Sequence, residues 1–247
     1  ERSLMPKLAS AAAAWRLTQL TKSLSPEQGT AMWGIVDRDP LFAQTLAFTI
    51  MPEADRLPAV ASVAERLASA DPEGVARHPE LAAAICVVHD AEQVTLRVNE
   101  NTGRAPPPDL VWRWFTSNAS SMRYGIDMAP ELFVIVVDAP ASPEELAWAL
   151  KNFAGIPRVG ALYQKVEYDF DSLQGKPKKC DVAGWNLPNI LRCGGICADQ
   201  AYFTTTVAKA LGIPAAYTSG YDATSGHAWA GFVHGSGKKI AWDVEGR

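Results

Sequence analysis

The chain has 247 residues, of which 48% are hydrophobic, enough to bury a core as one large domain or two small ones. A net charge of −4 and an isoelectric point near 5.6 argue against a nucleic-acid or anionic-membrane surface. No run approaches the ~18 consecutive apolar residues of a transmembrane helix. The chain begins at Glu1 and stops four residues after Asp243, so both ends read as cuts in a longer protein.

In chain order, the first hundred residues read as six short helices punctuated by proline. Ala-rich Leu4 to Leu20 is the first. Ser25-Pro26-Glu27-Gln28 combines an N-cap serine, proline at the first helical position and glutamine at the third, and opens the second. Asp39-Pro40 opens a third, running through Phe42, Leu46 and Ile50. Leu57 to Ala70 carries Val60, Val63, Ala64 and Leu67 at helical spacing. Asp71-Pro72 and His78-Pro79 repeat the start signal at irregular intervals, which does not make a repeat protein. His78 reads as a helix-start or solvent residue and His89 as a cation at a helix C-terminus. Cys86, inside an apolar run, reads as a buried small hydrophobe.

Asn99 to Asp109, with Gly103 and three prolines, reads as a linker, and a domain boundary is placed there: an α-helical region over 1–104, then a second domain over 105–247. Leu110 to Phe115 is aromatic-dense and suits core packing as helix or strand. Asn118-Ala119-Ser120 fits a glycosylation sequon. The β-branched run Leu132 to Val137 reads first as a buried strand, with a helix also open at this length. Ser142-Pro143-Glu144-Glu145 is a capping box opening a helix that Gly155 and Pro157 end. Lys176-Pro177-Lys178-Lys179 reads as a solvated basic turn.

The most informative stretch is 193–212. Gly194 and Gly195 precede a helix whose stripe is Phe203, Val207, Ala210 and Leu211, ended by Gly212 and Pro214. Cys197 falls in its first turn, where unpaired N–H groups and the macrodipole favour the thiolate, the nucleophilic form. The two glycines leave room for a substrate backbone to approach the sulfur. Pro214 to Tyr221 reads as a strand and Asp222 to Gly226 as a turn. The next strand places His227, Trp229, Gly231 and Val233 on one face by alternation, with His234 on the other. A Gly235-Ser236-Gly237 turn then leads to a strand, Lys239 to Glu245, that carries Asp243. Nucleophile, base and orienting carboxylate in this order are what thiol-based acyl transfer requires.

Gly195 to Asp199 opening the helix, Leu211 to Ala215 leaving it, His227-Ala228-Trp229 and Trp242-Asp243 together resemble the transglutaminase-like superfamily of papain-type folds. The resemblance covers roughly residues 190–247. It implies an α+β domain in which the cysteine helix packs on an antiparallel sheet carrying the histidine and the aspartate. It also implies a Cys197-His227-Asp243 triad, a thioester intermediate and a protein or peptide substrate, with no metal or organic cofactor. The backbone N–H of Cys197 is one oxyanion donor; by the resemblance the second is a side chain, Trp185 or Gln164.

Hydrolysis is the leading reading, because water needs no acceptor pocket. Protein crosslinking is the alternative, and a non-catalytic binding or assembly module on the same fold is a third. Cys180, Cys193, Cys197 and His227 also supply the arithmetic of a zinc site, but Cys180 stands isolated, and a metal would consume the groups that catalysis uses. A Cys180–Cys193 disulfide would instead pin the loop ahead of the nucleophile and imply export to an oxidising compartment such as the periplasm.

Overall fold

A computed structural model of the chain describes residues 4–91, 95–98, 101–104, 106–221, 226–236 and 239–246. These form two compact units, and the chain passes between them more than once. The first comprises Glu1–Val94, Pro107–Asn118 and Ile126–Val137; the second comprises Thr95–Pro106, Ala119–Gly125 and Asp138–Arg247.

The first unit is helical: α1 (Met5–Leu20), α2 (Pro26–Arg38), α3 (Pro40–Thr49), α4 (Leu57–Ala70), α5 (Pro72–Arg77), α6 (Pro79–Val88), α7 (Pro108–Asn118) and α8 (Pro130–Val137). The first six all carry proline in their opening turn, where its missing N–H would have had no partner and its fixed φ suits the helix. Ser25, Asp39 and Asp71 cap α2, α3 and α5 through their side-chain oxygens. Helix α6 is the centre of the unit. Leu81 to Cys86 are fully buried against α3, α4, α7 and α8, and burial pushes the Cys86 thiol far above its ordinary pKa. His89, at the end of α6, is also buried and bonds through Nε2 to the Val137 carbonyl at 3.1 Å.

Two sequence expectations change here. Leu132 to Val137 is helix α8 and not a strand. An apolar run this short is compatible with either, and Pro130 with Glu131 supplies a helix start. The expected linker, Asn99 to Asp109, holds β2 (Asn101–Arg104), paired antiparallel with β1 (Thr95–Val98) ahead of it, and α7 begins at Pro108.

The second unit continues with α9 (Pro143–Phe153), a 3₁₀ helix Val159–Lys165, a 3₁₀ turn Ser172–Gln174, α10 (Lys179–Val182), α11 (Leu187–Cys193) and α12 (Cys197–Ala210). Three antiparallel strands follow, β3 (Ala215–Tyr221), β4 (Gly226–Ser236) and β5 (Lys239–Glu245), with β4 in the middle. The expected turns at Asp222 to Gly226 and at Gly235 to Gly237 lie largely outside the described residues.

Helix α12 packs on β3 and β4, with α9, α11 and the 3₁₀ helix around it. It is buried on all sides from Ala198 to Ala210 and not along one stripe. Its threonines survive burial because Thr204 and Thr205 donate their hydroxyls to carbonyls one turn back, at 2.8 and 2.9 Å. Phe203 anchors its outer side, edge-on to Phe153 and Trp148 at 5.8 and 6.3 Å between ring centroids. Gly212, at φ +67°, turns the chain out of the helix with the Met122 side chain where a Cβ would be. The second unit is therefore mixed: helices around a small antiparallel sheet, with the cysteine helix against it.

Candidate active site

The approach to Cys197 is held by a short backbone ladder. Gly195 N–H bonds to the Glu167 carbonyl and Asp169 N–H to the Gly195 carbonyl, both at 2.9 Å. The two glycines are required by the protein itself. Gly194 sits at φ +79° with the Glu167 carbonyl in the place of a side chain, and a Cβ on Gly195 would strike Asp199. Cys197 then emerges half-buried at the first position of α12.

Below it lies Asp199, with no solvent exposure. Its carboxylate accepts the Ile196 N–H at 2.9 Å, the Trp185 indole N–H at 3.0 Å and the Lys178 ammonium at 3.0 Å. Burial alone would lower the Lys178 pKa; the Asp199 charge outweighs it and the net shift is upward. Beside this pair, Lys179 donates its backbone N–H to buried Asp169 at 3.0 Å and its ammonium at 3.1 Å. Burial would raise the Asp169 pKa, and these contacts hold it below the usual range instead. Two lysines of the basic loop thus pair with buried carboxylates, while Lys176, Pro177 and Lys179 remain exposed.

His227, exposed at the start of β4, and Cys197 line one cleft of about 410 Å³, with Ile196, Ala198, Tyr217 and Tyr221. His227 also borders a second cleft of about 520 Å³ that contains Gln164, Tyr168, Phe170, Leu173 and Gly246. Burial, and next the neighbouring Cys197, raise the Tyr168 phenol above its ordinary pKa. The imidazole Nε2 is hydrogen bonded to the Gly246 carbonyl. A carbonyl only accepts, so Nε2 is the donor in this bond, and in a neutral imidazole the lone pair then lies on Nδ1. Tyr163 pins the adjoining strand by donating to the Ala228 carbonyl at 2.7 Å.

Asp243 is elsewhere. The β4–β5 register sets it opposite Phe232, five residues from His227. An odd offset along a strand is a change of face. Its carboxylate accepts from Arg158 Nη2 at 2.8 Å and Nε at 3.0 Å. Those bonds, and next the Val244 N–H at 2.9 Å, hold its pKa below the usual range. Of the three expected residues, the structure brings Cys197 and His227 to one cleft and gives Asp243 to Arg158.

Trp185 has one N–H, and Asp199 takes it; Gln164 is exposed in the second cleft. Cys180 and Cys193 are free thiols and not a disulfide, Cys180 being fully buried with its pKa pushed up to about 12, first by burial and then by Asp199. Four participants were missed from the sequence: Gly246, Arg158, Lys178 and Asp169. The Gly246 contribution is a backbone carbonyl, which no residue type announces.

Residues 150–243 match the family model of the transglutaminase-like superfamily. No curated protein and no solved structure matches the chain. The superfamily generally contains cysteine-dependent acyltransferases and peptidases.

Proposed function

We propose that this chain is a transglutaminase-like cysteine hydrolase or acyltransferase acting on an amide, with Cys197 as nucleophile and His227 as base. The observation that carries the reading is the shared cleft: a cysteine at the start of a buried helix and an imidazole that donates through Nε2 and, when neutral, has its lone pair on Nδ1. In the first step Nδ1 of His227 takes the thiol proton and the sulfur attacks the amide carbonyl carbon. The negative oxygen is received by the Cys197 N–H at the start of α12, in place of the Tyr168 hydroxyl that neighbours this N–H in the resting structure. Collapse of the tetrahedral intermediate breaks the C–N bond, and the imidazolium returns the proton to the leaving amine. A thioester remains. Water, deprotonated by His227, then releases the carboxylic acid; a primary amine in its place would give a new amide. With Trp185 bonded to Asp199, Gln164 is the remaining candidate for a second oxyanion donor.

One observation favours a non-catalytic platform on the same fold, namely that Asp243 pairs with Arg158 and not with His227. The experiment that decides is profiling on peptide libraries containing side-chain and terminal amides, with and without an added primary amine, read by product mass. Turnover that vanishes in Cys197→Ala and in His227→Ala supports catalysis, and the product identifies water or amine as acceptor. Turnover retained by Cys197→Ala removes the cysteine mechanism. No turnover of any library member, together with ordinary reactivity at Cys197, leaves the platform reading.

A further inference from the structure

We infer that Arg158 is a positioning residue: by clamping Asp243 and Glu245 it fixes the end of β5, so that the Gly246 carbonyl holds the His227 imidazole in its reactive tautomer. This rests on the reading of Cys197 and His227 as nucleophile and base, and it gives Asp243 a role at a distance.

The geometry is a short chain of contacts. Strand β5 is an edge strand, paired only with β4 among the described residues. Its last turn of register ends at Glu245 opposite Ala230, so Gly246 leaves the sheet with no ladder partner of its own. What restrains it is on either side. Arg158, just ahead of the 3₁₀ helix Val159–Lys165, reaches Asp243 Oδ2 at 2.8 Å and Glu245 Oε2 at 2.5 Å with different nitrogens. It therefore spans two residues on one edge of β5, and its guanidinium also lies 5.3 Å from the Phe232 ring centroid on β4. A planar fork with two carboxylates restrains both position and direction, which a single lysine contact would not. On the other side, Gly246 packs on the Tyr163 ring at φ +93°, with no space for a side chain. Tyr163 belongs to the same 3₁₀ helix that Arg158 precedes and is itself bonded to β4 beside His227.

The carbonyl that receives Nε2–H is thus one peptide beyond a clamped glutamate and against a clamped tyrosine. Loss of the clamp would free β5 to shift outward, and the imidazole would lose the acceptor of its Nε2–H. Misplacement of a catalytic group by about 1 Å is enough to cost roughly a hundredfold in rate. The clamp is also ionic and only partly exposed, with side chains of Arg158, Asp243 and Glu245 at 37%, 38% and 24% exposure.

The test uses two readouts on the whole chain: the imidazole ¹⁵N signals of His227, which report its tautomer, and the rate of iodoacetamide alkylation of Cys197 as a function of pH. Both are measured in wild type, Arg158→Ala, Arg158→Lys, Asp243→Asn, Glu245→Gln and His227→Ala. The two carboxamide variants change charge at nearly constant volume, so they remain informative should Arg158→Ala fold poorly. Expected in Arg158→Ala is loss of the pure Nε2–H signature, read at about pH 8 with Cys197 replaced by alanine so that the imidazole is neutral, and, with Cys197 in place, an alkylation rate at pH 6 lower by about ten- to a hundredfold. Partial recovery is expected in Arg158→Lys. Asp243→Asn and Glu245→Gln should resemble each other, and either combined with Arg158→Ala should add little. If Asp243→Asn alone matches His227→Ala while Glu245→Gln matches wild type, Asp243 acts directly on the imidazole and the clamp is refuted. If only His227→Ala has an effect, the clamp is likewise refuted and the catalytic pair stands. If no variant changes Cys197 reactivity, the catalytic pair itself fails and the clamp with it.

Discussion

Replacing Asp199 with alanine is the most informative single perturbation of the scaffold under the nucleophile. The carboxylate has no solvent exposure, and the side chain of its cation, Lys178, is 12% exposed. Three donors lose their acceptor at once: the Ile196 N–H at the helix start, the Trp185 indole N–H and the Lys178 ammonium. A lost cap costs about 1 kcal/mol, a stranded buried donor about 1–3 kcal/mol, and a broken buried ion pair about 3–5 kcal/mol. These costs overlap, and Lys178 keeps Asp181 at 3.3 Å, so the sum belongs near about 3–5 kcal/mol. At about 2–4 °C per kcal/mol for a chain of this size, the unfolding midpoint should fall by roughly 6–20 °C. The assay is thermal and urea denaturation of wild type, Asp199→Ala, Lys178→Met and the Asp199→Asn/Lys178→Met double variant. The double variant should lose less than Asp199→Ala, since it removes both charges together. A midpoint for Asp199→Ala within a degree of wild type would refute the buried network as drawn.

Phe203→Ala, which removes the ring between Phe153 and Trp148, should cost about 3–5 kcal/mol in the same denaturation assay. Gly212→Ala should be destabilised by more than about 1 kcal/mol, because its φ of +67° and the Met122 side chain both oppose a Cβ. Asp169 and Asp243 have folded pKa values below the unfolded value of ~3.9. Their stabilisation is therefore complete above about pH 4 and is lost as pH falls through the lower folded values. Acid unfolding followed by circular dichroism should begin at higher pH in Asp169→Asn than in wild type; an unchanged acid limb would mean the Lys179 contacts contribute nothing.

Much of this was legible beforehand, and the physics says which parts. Proline at the first helical position and Ser or Asp ahead of it locate α2, α3, α5 and α9, because those residues satisfy or remove the same unpaired N–H groups wherever they occur. Gly212 and Pro214 likewise end α12 within a residue of Leu211. Leu132 to Val137 stayed open between strand, the first reading, and helix, because β-branched content describes burial as well as strand, and only packing against α6 decides between them. At the site, order along the chain pointed to Cys197 and His227, which line one cleft, but order carries no register. Whether Asp243 shares the face of His227 depends on an odd or even offset across a hairpin, which a single residue in the turn reverses. The pairing of Lys178 and Lys179 was not legible because their partners, Asp199 and Asp169, lie up to 21 residues away in sequence.

The most direct measurement is competitive alkylation of the four thiols by iodoacetamide at pH 6, resolved by peptide mass mapping in wild type and His227→Ala. Cys86 and Cys180 are buried thiols whose pKa values burial raises, so both should label slowly. Under the proposed pair Cys197 should label fastest, by roughly tenfold or more over Cys193, and should lose that advantage in His227→Ala, which removes the proposed base for its thiol proton. Equal labelling of Cys197 in the two proteins, at the rate of Cys193, would contradict a Cys197–His227 pair.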